Sequence, residues 1–231
     1  MPEAAPDWIE YNRWNRRDER MAELWVRDLV AWLSSAPELN ETSTVLDFGC
    51  GYFDVGMAIA RNVARVDGSE IEPRTVELAR SRSAELPATR IFESGDAIQP
   101  GTYDFIVVNS VVQYFGGVED LRKHLRLFHE WLKPGPRSAV LIADVIPPEY
   151  SAAKDALRSL RVALCNGMLP AMVRHLWKAA FKAEKMQLLR IGFEPLQALA
   201  SEAGFTCERL NKNLTPSRRR YTCLFKRGEL V

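Results

Sequence analysis

The chain has 231 residues, 47% of them hydrophobic and 26% charged, enough for one medium globular domain or a domain with an appended lid. A formal net charge of +1 and an isoelectric point near 7.7 supply no overall field to draw nucleic acid or an anionic membrane, so any charge preference must be local. Four scattered cysteines, Cys50, Cys165, Cys207 and Cys223, form no Cys-x-x-Cys pair and have no neighbouring histidine; they exclude a zinc set and are expected as reduced thiols.

The first twenty residues mix Asp and Glu with Arg and lack an apolar centre, so no signal peptide is expected. No uncharged run approaches a membrane span, and a cytoplasmic location is the expectation. From Asp7 to about Ser35, Trp8, Tyr11, Met21, Leu24, Trp25, Leu29, Trp32 and Leu33 recur at three- and four-residue steps, which predicts one or two amphipathic helices ending before Pro37. Their aromatics fit a core face; Tyr11 and Trp14 are kept as candidates for a ligand site.

Val45-Leu46-Asp47-Phe48 is an apolar run without helical period that breaks into Gly49-Cys50-Gly51, and a small-residue helix follows over Val55 to Ala60. A strand, a Gly-x-Gly turn and a helix present free backbone N–H groups at the carboxyl edge of a sheet, where a nucleoside-bearing cofactor can sit. A dinucleotide loop would want a third glycine where this chain has Asp54, an acid that repels a pyrophosphate. Asn62 to Asp67 reads as a second strand with an acid at its tip, placed to accept hydrogen bonds from ribose hydroxyls. Gly68-Ser69 and a helix opened by Pro73 complete that β–α unit.

Further landmarks follow in order. Ile91-Phe92 belongs to a third strand, followed by Ser94-Gly95-Asp96-Ala97. Tyr103 to Asn109 is a fourth strand, apolar enough for burial on both faces. A helix over Val118 to Leu132 is stopped by Lys133-Pro134-Gly135 before a fifth strand, Ser138 to Asp144. Beyond Pro147-Pro148 the pattern is helical, and eight Lys or Arg stand against Asp155 and Glu184 between Tyr150 and Arg190, the place for a substrate lid. A helix over Leu196 to Ala203, a strand to about Leu210 and a last strand from Tyr221 to Phe225 finish the chain.

These landmarks resemble the class I S-adenosylmethionine-dependent methyltransferases. Asp47, Gly49 and Gly51 match the family's first motif, with Phe53 where a third glycine is common; Asp67 stands for the ribose acid, and Asp96 with Ala97 for the pair that holds adenine. Ser110-Val111-Val112-Gln113-Tyr114-Phe115 is similar to the segment after strand four in small-molecule methyltransferases, especially the methylation modules of peptide synthetases, and Leu132-Lys133-Pro134-Gly135 is a further hallmark. The resemblance implies an α/β fold with a Rossmann-like, mostly parallel seven-stranded sheet. It also implies a single domain made of N-terminal helices (1–43), a cofactor-binding core (44–148), a helical lid (149–191) and a C-terminal helix with a strand hairpin (192–231). Asp47, Gly49, Cys50, Gly51, Asp67, Gly68, Asp96, Ala97, Asn109 and Ser110 are then the expected contacts to S-adenosyl-L-methionine.

The implied reaction is methyl transfer to O, N or C of a small molecule, in secondary metabolism, without a metal or a membrane. Asp144 and His175 are the candidate general bases, and His124 and His129 are read as surface or packing residues. Tyr11, Gln113, Tyr114, Arg158, Arg161 and Arg174 are the candidate acceptor contacts, the arginines suiting an anionic acceptor. Three alternatives stay open. Tyr150 and Lys154 have the Tyr-x-x-x-Lys spacing of short-chain dehydrogenases, with Ser138 upstream, and would imply NAD(P); Lys212 and Arg218-Arg219-Arg220 would suit a nucleic-acid methyltransferase; and the same fold could bind its cofactor as a non-catalytic scaffold.

Overall fold

A computed structural model describes residues 19–228 apart from 87, 94–97, 169, 171 and 174–187, and the side chains of 19, 21, 152–154, 158 and 159 are outside that description. Seven strands form one sheet in the order β3-β2-β1-β4-β5-β7-β6, with β7 antiparallel to both of its neighbours and every other pair parallel. The strands are β1 (Thr44–Phe48), β2 (Arg65–Glu70), β3 (Ile91–Glu93), β4 (Phe105–Asn109), β5 (Ala139–Val145), β6 (Phe205–Arg209) and β7 (Tyr221–Arg227). Helices are α1 (Glu19–Leu33), α2 (Asp54–Ile59), α3 (Pro73–Arg82), α4 (Val118–Trp131), α5 (Ala152–Cys165) and α6 (Phe193–Glu202). The expected Rossmann-like sheet is the one observed.

The central strands are apolar at every position because helices cover both faces of the sheet, and side chains alternate between them. Leu46, Ile106, Val108, Val140 and Ile142 pack towards α4 and α6, against Leu125, Phe128 and Leu196. Their neighbours Val45, Phe105, Val107 and Leu141 pack on the opposite face with Leu29 and Leu33 of α1, Ile59 of α2 and Val76 of α3. Leu24 of α1 belongs to a separate small cluster with Ala163, Met168 and Met172, so α1 also holds α5 in place.

Two sequence expectations shift. The second strand begins at Arg65 rather than Asn62 and runs to Glu70, which puts Asp67 opposite Leu46 in mid-strand. Tyr150 lies before α5, outside the helix that carries Lys154, so the Tyr-x-x-x-Lys pair does not share a helical face.

Candidate active site

The β1–α2 turn leaves the sheet between two glycines in left-handed conformations, φ 66° at Gly49 and 52° at Gly51. A Cβ on Gly49 would sit 2.4 Å from Val111 Cγ2, so this glycine lets the loop after β4 close over the turn. Around Gly51 nothing lies within 4 Å of such an atom, which leaves one open side against which a ligand can rest. Phe53, at the position of the third glycine, is itself left-handed (φ 62°) and fully buried. Its ring takes the space over Gly56, where a Cβ would come within 2.1 Å of it, so a bulky residue is tolerated because a glycine in α2 makes room and turns the ring into the core.

Asp47 is 3% exposed and its carboxylate accepts from Gly56 N–H at 3.2 Å. Burial pushes it up to about 7, against the lowering effect of the Gly56 bond, and the nearby Asp54 and Glu70 add to the rise. Cys50 N–H donates to Ser69 O and ties the turn to β2; burial, with Asp47 and Glu70 close by, pushes its thiol well up, so Cys50 is no nucleophile.

At the tip of β2 the acid is Glu70. One carboxylate oxygen accepts from Gly51 N–H at 2.9 Å, and the other accepts from the N–H groups of Ile71 (2.7 Å) and Glu72 (3.1 Å). Asp67, expected at that tip, is fully buried within the strand: it is ion-paired with Arg65 and accepts from Tyr103 Oη (2.9 Å) and Arg90 N–H (2.9 Å). These donors occupy its oxygens on the interior side, away from the glycine turn. Gly68 is likewise a packing residue, since a Cβ there would meet Cys50 Sγ at 2.8 Å and Ile91 Cδ1 at 2.9 Å. Glu70 escaped sequence reading because Asp67-Gly68-Ser69 looks like a turn. The available signal was Pro73, which fixes the first position of α3, with Glu72 capping Thr75 N–H at 2.7 Å, and so leaves only two residues after a strand ending at Glu70.

At the tips of β4 and β5, Ser110 and Asp144 both have positive φ (58° and 71°), and the Ser110 hydroxyl donates to Asp144 at 2.8 Å. Such strained residues cluster at functional edges. Asn109 Oδ1, beside them, is shielded from solvent with no hydrogen-bond partner among the described residues. Asp144 does not suit the role of general base. Besides Ser110 it accepts from Arg220 Nη1 (2.6 Å), Thr215 Oγ1 (2.5 Å) and Asn213 Nδ2 (3.2 Å), which leaves its 2% exposed carboxylate no access to an acceptor proton. It instead anchors the β6–β7 loop to the carboxyl edge. Arg220 continues the chain of bonds: it donates to Tyr150 Oη at 3.2 Å, Tyr150 donates to Asp155 at 2.8 Å, and Ser217 donates to Asp155 at 2.6 Å. Neither Arg220 nor these loop partners was singled out for such a role in the sequence, because a contact spanning 76 residues leaves no local pattern.

This network also removes the dehydrogenase reading. Burial raises the Tyr150 hydroxyl, opposed by Arg220, whereas proton relay needs it lowered. Ser138 precedes β5 and Tyr150 follows it, so a strand of seven residues, about 23 Å, separates them. Gln113 is 4% exposed and donates to Ser110 O at 2.7 Å, bracing the loop after β4; Tyr114 stands next to it, half-buried. Phe115 stacks on His124, and His129 packs edge-on to Phe205, so both histidines are packing residues. Arg161 is exposed on α5. Tyr11, Trp14, Asp96, Ala97, Arg174 and His175, and the side chain of Arg158, lie outside the described residues.

Residues 45–135 match the family of methyltransferase domains. Over 81 residues the chain is 35% identical to a ribosomal protein L11 methyltransferase of Dechloromonas aromatica, covering 35% of this chain and 27% of that protein. Over 146 residues it is 29% identical to an S-adenosyl-L-methionine-dependent Diels-Alderase of Talaromyces variabilis, covering 60% and 48%. The chain thus spans less than half the length of these curated relatives. In fold it is similar to the putative methyltransferase of Haloferax volcanii solved in complex with the Trm112 methyltransferase activator, with a TM-score of 0.69 at 15% identity over 96% of this chain and 97% of that one. The family match thus falls on residues 45–135, the segment that builds the glycine turn and the first four strands, and in fold the chain is similar to solved S-adenosylmethionine-dependent methyltransferases.

Proposed function

We propose that this chain transfers the methyl group of S-adenosylmethionine to an O, N or C atom of a small molecule. The observation that carries the reading is the pairing of Gly51, open on one side in a left-handed turn, with the Glu70 carboxylate 2.9 Å from its N–H. Gly51 lets the cofactor approach the backbone, Glu70 accepts from its ribose hydroxyls, and Asn109 Oδ1 gives the edge of β4 a spare acceptor. When bound, the cofactor supplies an electrophilic S-methyl group, so the protein's share of the work is alignment. Ser110, held by Asp144 and by Gln113, fixes the floor on which an acceptor would be positioned. No helix among the described residues is long and apolar enough to cross a membrane.

Calorimetric titration should show binding of S-adenosylmethionine and S-adenosylhomocysteine and none of NAD or NADP; tight NADPH binding without S-adenosylmethionine would overturn the reading. Glu70→Ala should weaken S-adenosylhomocysteine by about 2 to 3 kcal/mol, the worth of charge-assisted bonds to the ribose, and wild-type affinity in that variant would remove Glu70 from the site. The Diels-Alderase relative favours a second reading, cofactor dependence without methyl transfer, which release of S-adenosylhomocysteine from cofactor and acceptor would exclude.

A further inference from the structure

A cavity of about 840 Å³ lies between α1, α5 and the β6–β7 loop, within the range that holds small organic ligands. Arg27, Arg161, Arg209, Lys212, Arg218 and Arg220 line it. The carboxylate in that lining, Asp28, is already paired with Arg27 at 3.3 Å. Arg220 is held by Asp144 and Asp155, yet its Nε is shielded from solvent with no hydrogen-bond partner among the described residues. Arg209 lies over the ring of Tyr221, 4.9 Å from its centre, and has no ion pair among the described residues; neither do Arg161, Lys212 and Arg218. Four positive charges with no ion pair among the described residues face one concavity, in a protein whose total is +1, and they repel one another unless an anion joins them.

The cavity is not a remote surface feature. Asn213, Thr215 and Arg220, which line it, all donate to Asp144, and Asp144 accepts in turn from Ser110 at the tip of β4. Its wall is therefore two hydrogen bonds from the edge where the methyl group would be delivered. Guanidinium forks suit the oxygens of phosphate better than a lone ammonium does, and arginine dominates this lining.

Resting on the methyl-transfer reading, we infer that this cavity is the acceptor's site and that the acceptor carries a multiply charged oxyanion, a phosphate or its equivalent, gripped by Arg209 at the end of β6, Lys212 and Arg218 of the β6–β7 loop, and Arg161 of α5. The lid contributes one cation, and the end of β6 with the loop that follows it supplies the other three.

The test uses inorganic pyrophosphate as the probe and calorimetry at low ionic strength, with S-adenosylhomocysteine titrated into the same samples. Wild-type protein should bind pyrophosphate, and Arg209→Gln/Arg218→Gln should bind it at least tenfold more weakly with S-adenosylhomocysteine affinity unchanged. Added salt should shrink that difference. A control pair on other faces, Arg61→Gln/Arg126→Gln, should leave pyrophosphate binding within twofold. Failure of the wild type to bind, equal weakening in the control pair, or competition between pyrophosphate and S-adenosylhomocysteine would each overturn the site. Pyrophosphate binding in a protein that does not bind S-adenosylhomocysteine would overturn the acceptor assignment by removing the methyl-transfer reading beneath it, an outcome distinct from the other three.

Discussion

Asp67→Ala is expected to cost about 3 to 5 kcal/mol of folding stability while leaving cofactor affinity per folded molecule unchanged. The carboxylate is fully buried and answers three groups at once: the Arg65 guanidinium, the Tyr103 hydroxyl and the Arg90 N–H. Removing one partner of a buried ion pair leaves the other charge uncompensated, which costs more than the pair itself contributes. The Tyr103 hydroxyl and the Arg90 N–H lose their acceptor as well. Since domains of this size are stable by only about 5 to 15 kcal/mol, the variant should unfold at clearly lower urea concentration. Asp67→Asn, which keeps one acceptor oxygen, should lose less and provides a folded sample if the alanine variant does not. Glu70→Ala should show the reverse profile, a binding defect with a smaller loss of stability. Weakened S-adenosylhomocysteine binding at wild-type stability in Asp67→Ala would return the ribose role to Asp67.

That contrast shows where sequence alone sufficed. The glycine turn after β1, the apolar strands β4 and β5 and the Lys133-Pro134-Gly135 stop were legible because each is a local pattern with a physical cause: backbone freedom, two-sided burial and helix termination. The register of β2 was not. Its sequence, Arg-Val-Asp-Gly-Ser-Glu, contains three turn formers, and it is a strand because β1 and β3 flank it, Gly68 fits beneath Cys50, and Asp67 finds partners from the segments leading into β3 and β4. Asp144 was placed correctly at the tip of β5 but misread in role. A carboxylate at a strand tip looks available for proton transfer until the loop of Asn213, Thr215 and Arg220 is folded onto it, and those partners come from 69 to 76 residues away.

Asp47 should make the unliganded protein less stable as pH rises from about 4 to about 7. It is a carboxyl whose folded value is raised, so between 3.8 and about 7 the native state holds a proton that the unfolded state has released. Stability falls with pH wherever the unfolded state binds fewer protons, so this group costs nothing below pH 3.8 and its full penalty above about pH 7. The gap between 3.8 and about 7 corresponds to roughly 4 kcal/mol. Asp47→Asn keeps an acceptor for Gly56 N–H and carries no charge, so it should match the wild type near pH 4 and exceed it by a few kcal/mol at pH 8. Urea unfolding of both proteins across that range reads the difference directly, and a stability gap that does not change with pH would show that Asp47 is not forced to ionise in a buried setting. The same penalty gives the residue a functional sense. A sulfonium and an ammonium brought to this edge by the cofactor would favour the ionised carboxylate, so binding of S-adenosylmethionine near pH 6.5 should release a proton. Calorimetry in two buffers of different ionisation enthalpy should show that release in the wild type and lose it in Asp47→Asn.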